Sequence, residues 1–126
     1  GDWSSDVCSS DLGLKAQQLG ACEMLARLYW YTIEFGLIRE HGALRAYGAG
    51  ILSSAGELAY AVRSPEPQRL PLQIERTMRT RYKIDSYQQT YFVTESFEQL
   101  FALTAPDFTP LYACLRKLPE FAADAR

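Results

Sequence analysis

Residues 21–38 read ACEMLARLYWYTIEFGLI. No proline interrupts them, no glycine comes before Gly36, and β-branched side chains are few, so the stretch predicts one long helix rather than a strand. Met24, Leu25, Leu28, Tyr29, Trp30, Ile33, Phe35 and Leu37 place apolar groups on nearly every face of that helix. A helix apolar all round is a buried central helix. Glu34 is out of character with that setting. Burying an unpaired carboxylate costs several kcal/mol or forces it to take a proton. Glu34 therefore needs a partner, and the residues alone leave three kinds open: a metal ion, a basic side chain, or a set of hydrogen bonds.

Outward from this helix, Gly36 and Gly42 mark a frayed end and a turn, and residues 43–51 (ALRAYGAGI) read as a short strand or loop. Ser54 and Glu57 fit a capping box that opens a helix to about Val62, with Glu57 reaching back to the cap. Three prolines make residues 64–71 a loop, and Pro71 stands near the first turn of a short helix over 72–79. Residues 84–93 (IDSYQQTYFV) are rich in aromatic and β-branched side chains and read as a strand or hairpin arm. Ser96 and Gln99 form a second capping box, with a helix to about Thr104. Thr109-Pro110 opens a last helix to about Leu118. The expected fold class is mainly α, one helical unit with a small β element.

Composition narrows the function classes. The chain has 126 residues, 48% of them hydrophobic and 13% aromatic, which suits a packed globular unit and not a disordered one. A net charge of −2 points to neither a nucleic acid nor an anionic membrane as partner. No apolar run is long enough to cross a membrane. Cys8, Cys22 and Cys114 have no paired spacing and read as free thiols of a reducing, cytoplasmic compartment. The basic stretch Arg76, Arg79, Arg81 and Lys83 lacks interleaved stacking residues and reads as a solvated face. His41, in a Glu-His-Gly turn, reads as an exposed loop histidine.

Residues 1–12, GDWSSDVCSSDL, stand apart. They have no apolar period, no basic start and no apolar centre, which excludes a signal peptide. The string resembles a common sequencing adapter translated in one frame. It is expected to be a non-native, disordered tail, with the native chain beginning at Gly13 and its upstream part not represented.

Three motifs carry a family resemblance. LYWYTIEFGLI (28–38), YGAGILSS (47–54) followed by Glu57, and YFVTESF (91–97) are similar, in order and spacing, to the pterin-dependent aromatic amino acid hydroxylases. The likeness runs from about Leu25 to Leu118. It implies a mainly helical catalytic domain, of which residues 13–126 are the C-terminal part. It also implies an Fe(II) ion held by two histidines and one carboxylate, with positions left open for dioxygen. Glu34 matches the carboxylate ligand. Trp30, which by itself reads as a core tryptophan, matches a residue lining the pocket for the substrate ring. Ala26 and Tyr29 match positions near the tetrahydropterin. Residues 48–54, with Gly50 and Ser53 among them, match the loop bordering the amino acid. Ser53 in particular matches a serine that hydrogen-bonds an iron histidine, a contact that fixes ring orientation.

The departures from the family are equally specific. Its two iron histidines lie upstream in an H-x-x-x-x-H segment, and the one histidine here, His41, matches neither. The arginine for the substrate carboxylate and the phenylalanine that stacks on the pterin also fall outside the chain. The resemblance is closest to the bacterial, phenylalanine-hydroxylating branch. It implies conversion of L-phenylalanine to tyrosine by O2 with Fe(II) and tetrahydrobiopterin or a related tetrahydropterin, in a monomeric cytoplasmic protein. The chain by itself is expected to be inactive. Tyrosine or tryptophan hydroxylation, and a fold-retaining binding module without iron, are the alternatives.

Overall fold

The computed structural model describes residues 22–124. The adapter-like tail expected over residues 1–12 lies outside them. Among the described residues there are six α-helices, one π-helical turn and four strands. In chain order they are α1 (Cys22–Tyr29), the π turn (Trp30–Glu34), β1 (Leu37–Glu40), β2 (Ala43–Ala46), α2 (Ala49–Leu52), α3 (Ala55–Arg63), β3 (Gln68–Pro71), α4 (Ile74–Arg79), β4 (Thr90–Thr94), α5 (Phe97–Thr104) and α6 (Thr109–Leu115).

The strands form one sheet in the order β2-β1-β4-β3, with β1 and β2 antiparallel and β4 parallel to both its neighbours. The expectation of a mainly α fold with a small β element is therefore corrected to mixed α/β. The sheet is central. Strand β4 (TYFVT) is buried along its whole length. Its Tyr91 and Val93 pack with Leu37, Ile51 and Ala61 on the face covered by α2 and α3. Its Phe92 points the other way, to Tyr31 and Leu72, as the two-residue period of a strand requires. A third cluster joins Leu25 and Leu28 of α1 to Met78 of α4 and to Tyr112 and Leu115 of α6.

The one-helix expectation for residues 21–38 fails at its C-terminal third. Phe35 N–H donates to Trp30 O at 2.8 Å, a five-residue return, and Phe35 then leaves the helix at φ −131°. Thr32 Oγ1 donates to Leu28 O at 2.7 Å, a back-bond that bends helices. Leu37 and Ile38 then pair with Val93 and Thr94 and are buried. Tertiary pairing here overrides a run without breakers, as it commonly does. The turn between β1 and β2 is a two-residue loop, His41 at φ 52° and Gly42 at φ 79°. Two positive φ values in sequence give the twist that matches the flanking strands.

Other boundaries moved for identifiable reasons. The loop expected over 64–71 ends in β3, an edge strand that tolerates Pro71 because one side of it is unpaired in the sheet. Residues 84–89 do not join β4. Residues 43–51 divide into β2 and the start of α2. Both serine caps are present: Ser54 Oγ accepts from Glu57 N at 3.3 Å, and Ser96 Oγ accepts from Gln99 N at 3.0 Å. Neither partner side chain returns to its cap. Gln99 Oε1 accepts instead from Glu95 N at 2.7 Å, and Glu57 turns into the core. Cys114 is a free, exposed thiol, and Cys8 lies outside the described residues.

Candidate functional site

The π turn determines what faces what. Its five-residue hydrogen bond brings Trp30 and Phe35 to the same side, and their rings stack at 4.7 Å and 30°. Tyr82 covers the opposite face of Trp30, 4.3 Å away and tilted by 15°. Each such pair contributes about 0.5–1.5 kcal/mol beyond area burial. Tyr31 anchors the arrangement from behind. It is fully buried, meets Phe92 edge-on at 4.9 Å and Tyr82 edge-on at 6.5 Å, and its hydroxyl donates to Arg81 O. Burial pushes the Tyr31 phenol well above its ordinary pKa of 10.0, so it stays a neutral donor. Trp30 is thus half-buried in a three-ring stack.

Glu34 closes the π turn and is half-buried. Among the described residues its carboxylate has neither a hydrogen bond nor an ion pair. Its backbone is in close contact. A Cβ on Gly48 would strike the Glu34 carbonyl, and one on Gly50 would strike the Phe35 ring. The glycines of YGAGILSS therefore let α2 lie directly on the end of the π turn. Ser53 is exposed, and its hydroxyl donates to Gly50 O at 3.0 Å. Trp30 thus meets Phe35, Phe35 meets Gly50, and Gly50 accepts from Ser53, with the Glu34 backbone carbonyl against Gly48 and Gly50.

Ala26 and Tyr29 open onto different clefts. Buried Ala26 lines one with Glu23, Arg27, Arg81 and Tyr82. Half-buried Tyr29 lines another, of about 270 Å³, with Thr32, Ile33, Tyr47, Phe101 and Phe108. His41 is not brought to Glu34. Strand β1 separates them, about 13 Å at a strand's rise per residue. Among the described residues no three His, Cys, Asp or Glu side chains gather as a metal cluster.

Sequence reading missed three parts of this site. Tyr82 carries no local signal, because it meets Trp30 only through the fold. Phe35 was read as core, although its spacing of five from Trp30 becomes meaningful once a π turn is considered. Tyr47 lies inside a quoted motif. Its ring covers Gly36, where a Cβ would collide with it, and burial raises its pKa. Two further expectations are corrected. Glu57 is not a cap partner: it is 7% exposed, and its Oε2 accepts from Tyr91 OH at 2.7 Å and from Gln88 N at 3.2 Å. The basic stretch is not simply solvated either. Arg76 and Arg79 lie over the Phe121 ring at 3.7 and 4.5 Å, and Arg81 pairs with Glu120.

A family model describing biopterin-dependent aromatic amino acid hydroxylases matches residues 1–105. The chain belongs to this hydroxylase family. It is 62% identical over 111 residues to the phenylalanine-4-hydroxylase of Ralstonia nicotianae, covering 88% of this chain and 36% of that protein. It is 59% identical over 111 residues to the phenylalanine-4-hydroxylase of Chromobacterium violaceum, covering 88% and 37%. The iron- and phenylalanine-bound crystal structure of the Chromobacterium violaceum enzyme superposes with a TM-score of 0.87 at 54% identity, covering 90% of this chain and 42% of that one. The chain thus spans about a third of the length of the curated relatives it matches. Among the described residues of this hydroxylase-family chain, no helix is long and apolar enough to cross a membrane.

Proposed function

We propose that residues 13–126 are the C-terminal part of the catalytic domain of a phenylalanine 4-monooxygenase, and that Glu34 is its carboxylate ligand to Fe(II). The observation that carries this is the Glu34 carboxylate, half-buried at the end of the π turn and without a partner among the described residues. A carboxylate oxygen suits Fe(II) in a two-histidine, one-carboxylate site, and nothing described competes for it. The fit is partial by content: this chain holds one histidine, and it sits on the far end of β1. The other two ligands belong to residues that this chain does not contain.

When bound, Fe(II) and a tetrahydropterin supply the activation of O2 that no side chain can perform. The work of this chain is to position and to exclude water. Trp30, clamped between Phe35 and Tyr82, is a rigid apolar wall suited to the phenyl ring of L-phenylalanine. Gly48 and Gly50 let α2 close onto the backbone at the Glu34 end of the π turn, which fixes the loop assigned to the border of the amino acid site. Ser53 would turn from Gly50 O to an iron histidine and fix its ring. Ala26 and Tyr29 are assigned to the pterin side. The same reading takes the whole protein to be monomeric and cytoplasmic, with no nucleic-acid or membrane partner.

The test is a chimaera in which these residues replace their counterparts in the Chromobacterium violaceum enzyme. The expected result is iron- and pterin-dependent tyrosine formation, abolished by Glu34→Ala. Undiminished tyrosine formation by the Glu34→Ala chimaera contradicts the ligand assignment. An intact chimaera that binds iron but hydroxylates tryptophan or tyrosine in preference shifts the substrate within the family.

A further inference from the structure

Four arginines, Arg27, Arg76, Arg79 and Arg81, crowd the junction of α1 and α4. Arg27 is only 8% exposed, and a buried cation must be paired. The chain returns after α6 to supply what these groups need. Glu120 places Oε2 on Arg27 Nη2 and Oε1 3.0 Å from Arg81 Nε. Arg27 Nη1 also donates to Met78 O at 3.3 Å, and its second carboxylate, Glu23, is exposed and looser at 3.4 Å. Phe121 lies beneath the guanidinium groups of Arg76 and Arg79, a favourable cation–π arrangement. The backbone completes the attachment. Phe121 N donates to Arg79 O at 2.7 Å, Arg81 N donates to Phe121 O at 2.9 Å, and Arg79 Nε donates to Pro119 O at 2.9 Å.

The two side chains bridged by Glu120 belong to the segment that leads into Trp30 and the segment that carries Tyr82. Arg27 stands three residues before Trp30, one turn below it on α1. Arg81 immediately precedes Tyr82, the ring on the outer face of Trp30, and its carbonyl receives the Tyr31 hydroxyl. We propose that Glu120 and Phe121 form a clasp that positions the Trp30 stack: by tying Arg81 to Arg27, they hold Tyr82 against Trp30 and so set the ring wall from outside the pocket. Both are positioning residues, since neither touches the pocket itself. The role in substrate binding rests on the assignment of Trp30 to the ring pocket, whereas the mechanical coupling does not.

The coupling can be read without turnover. The chain has two tryptophans, so in a Trp3→Phe background Trp30 is the only indole reporter. Acrylamide quenching of Trp30 is compared for the parent, Glu120→Gln and Arg81→Gln. Arg81 is largely exposed, and its substitution leaves the backbone bonds of the clasp intact, so this variant decides the matter if Glu120→Gln does not fold. Ser96→Ala, which weakens α5 away from the clasp, is the control for general loosening. The expected result is a rise of about threefold in the population with quenchable Trp30 for Glu120→Gln, the scale of a part-exposed ion pair, a smaller rise for Arg81→Gln, and none for Ser96→Ala. Quenching equal to the parent in both clasp variants, or an equal rise in Ser96→Ala, overturns the proposal. Because the readout needs neither iron nor product, it fails or succeeds independently of the Glu34 assignment.

Discussion

Two glutamates of this chain lie in apolar surroundings and are provided for in opposite ways. Glu57, on α3, is 7% exposed and has two donors aimed at one oxygen, Tyr91 OH and Gln88 N. Glu34, on the π turn, is half-buried, and among the described residues its carboxylate has no partner at all. The protein satisfies the first internally, as a buried polar group must be. It leaves the second without a described partner at the end of the π turn, where glycines of α2 pack against its backbone. A satisfied buried carboxylate is a fixture of the fold. An unsatisfied one, placed this way, is available to a ligand.

The sharpest way to break the comparison is to remove each carboxylate in turn and measure metal-free stability by urea denaturation. Glu57→Ala strands two buried donors, and the expected loss is about 3 kcal/mol. Glu34→Ala strands nothing described, and the expected change is within about 0.5 kcal/mol. Equal losses would show that Glu34 is a structural carboxylate too.

The capping serines are next in size. Ser54→Ala removes the cap of the helix that carries Glu57, at an expected cost of about 1 kcal/mol. This loss should add to nothing at Glu34, because the two sites share no hydrogen bond. A change in iron affinity on Ser54→Ala would mean that α3 and the π turn are coupled more tightly than their contacts indicate.

The smallest expected effect is one of pH. The hydrogen bond from Arg27, then the charges of Arg27 and Arg81, hold the Glu120 carboxyl below its ordinary 4.5 against the opposing effect of burial. A depressed carboxylate stabilises the fold above its unfolded pKa, and that contribution is lost as pH falls through the folded pKa. Glu120→Gln should therefore flatten the acid side of the stability profile below about pH 4.5 and leave the neutral side nearly parallel to the parent. The side chain is 38% exposed, so solvent screening keeps the effect modest.

What could be read from the amino acids follows from where the deciding information lies. The helix starts at Ser54 and Ser96, the end of α5 at Thr104 and the proline-led start of α6 depend on neighbours in sequence, and they were legible. Glu34 was legible as an anomaly, a charge in an apolar run. Its partner was not, because the choice among metal, cation and hydrogen bonds depends on what the fold brings near. The same gap explains the misread Glu57: a capping-box spacing and a buried tertiary acceptor look alike until Tyr91, thirty-four residues away, is placed. The π turn left no breaker to find, since Trp30 to Glu34 are ordinary helix residues whose geometry is imposed by β1 joining β4. The sheet was underestimated because β1 and β3 are four residues long and acquire their strand character from pairing with β4.

The most direct test of the account measures iron content and metal-free melting temperature on the same three proteins: the chimaera with the Chromobacterium violaceum enzyme, its Glu34→Gln variant and its Glu34→Ala variant. Glu34→Gln keeps one oxygen donor and loses the charge, whereas Glu34→Ala loses both. The account predicts iron content falling from parent to glutamine to alanine, tyrosine formation lost in both variants, and metal-free melting temperatures that stay together. Full iron retention by Glu34→Ala, with a lowered metal-free melting temperature, would contradict it and make Glu34 one half of a buried ion pair.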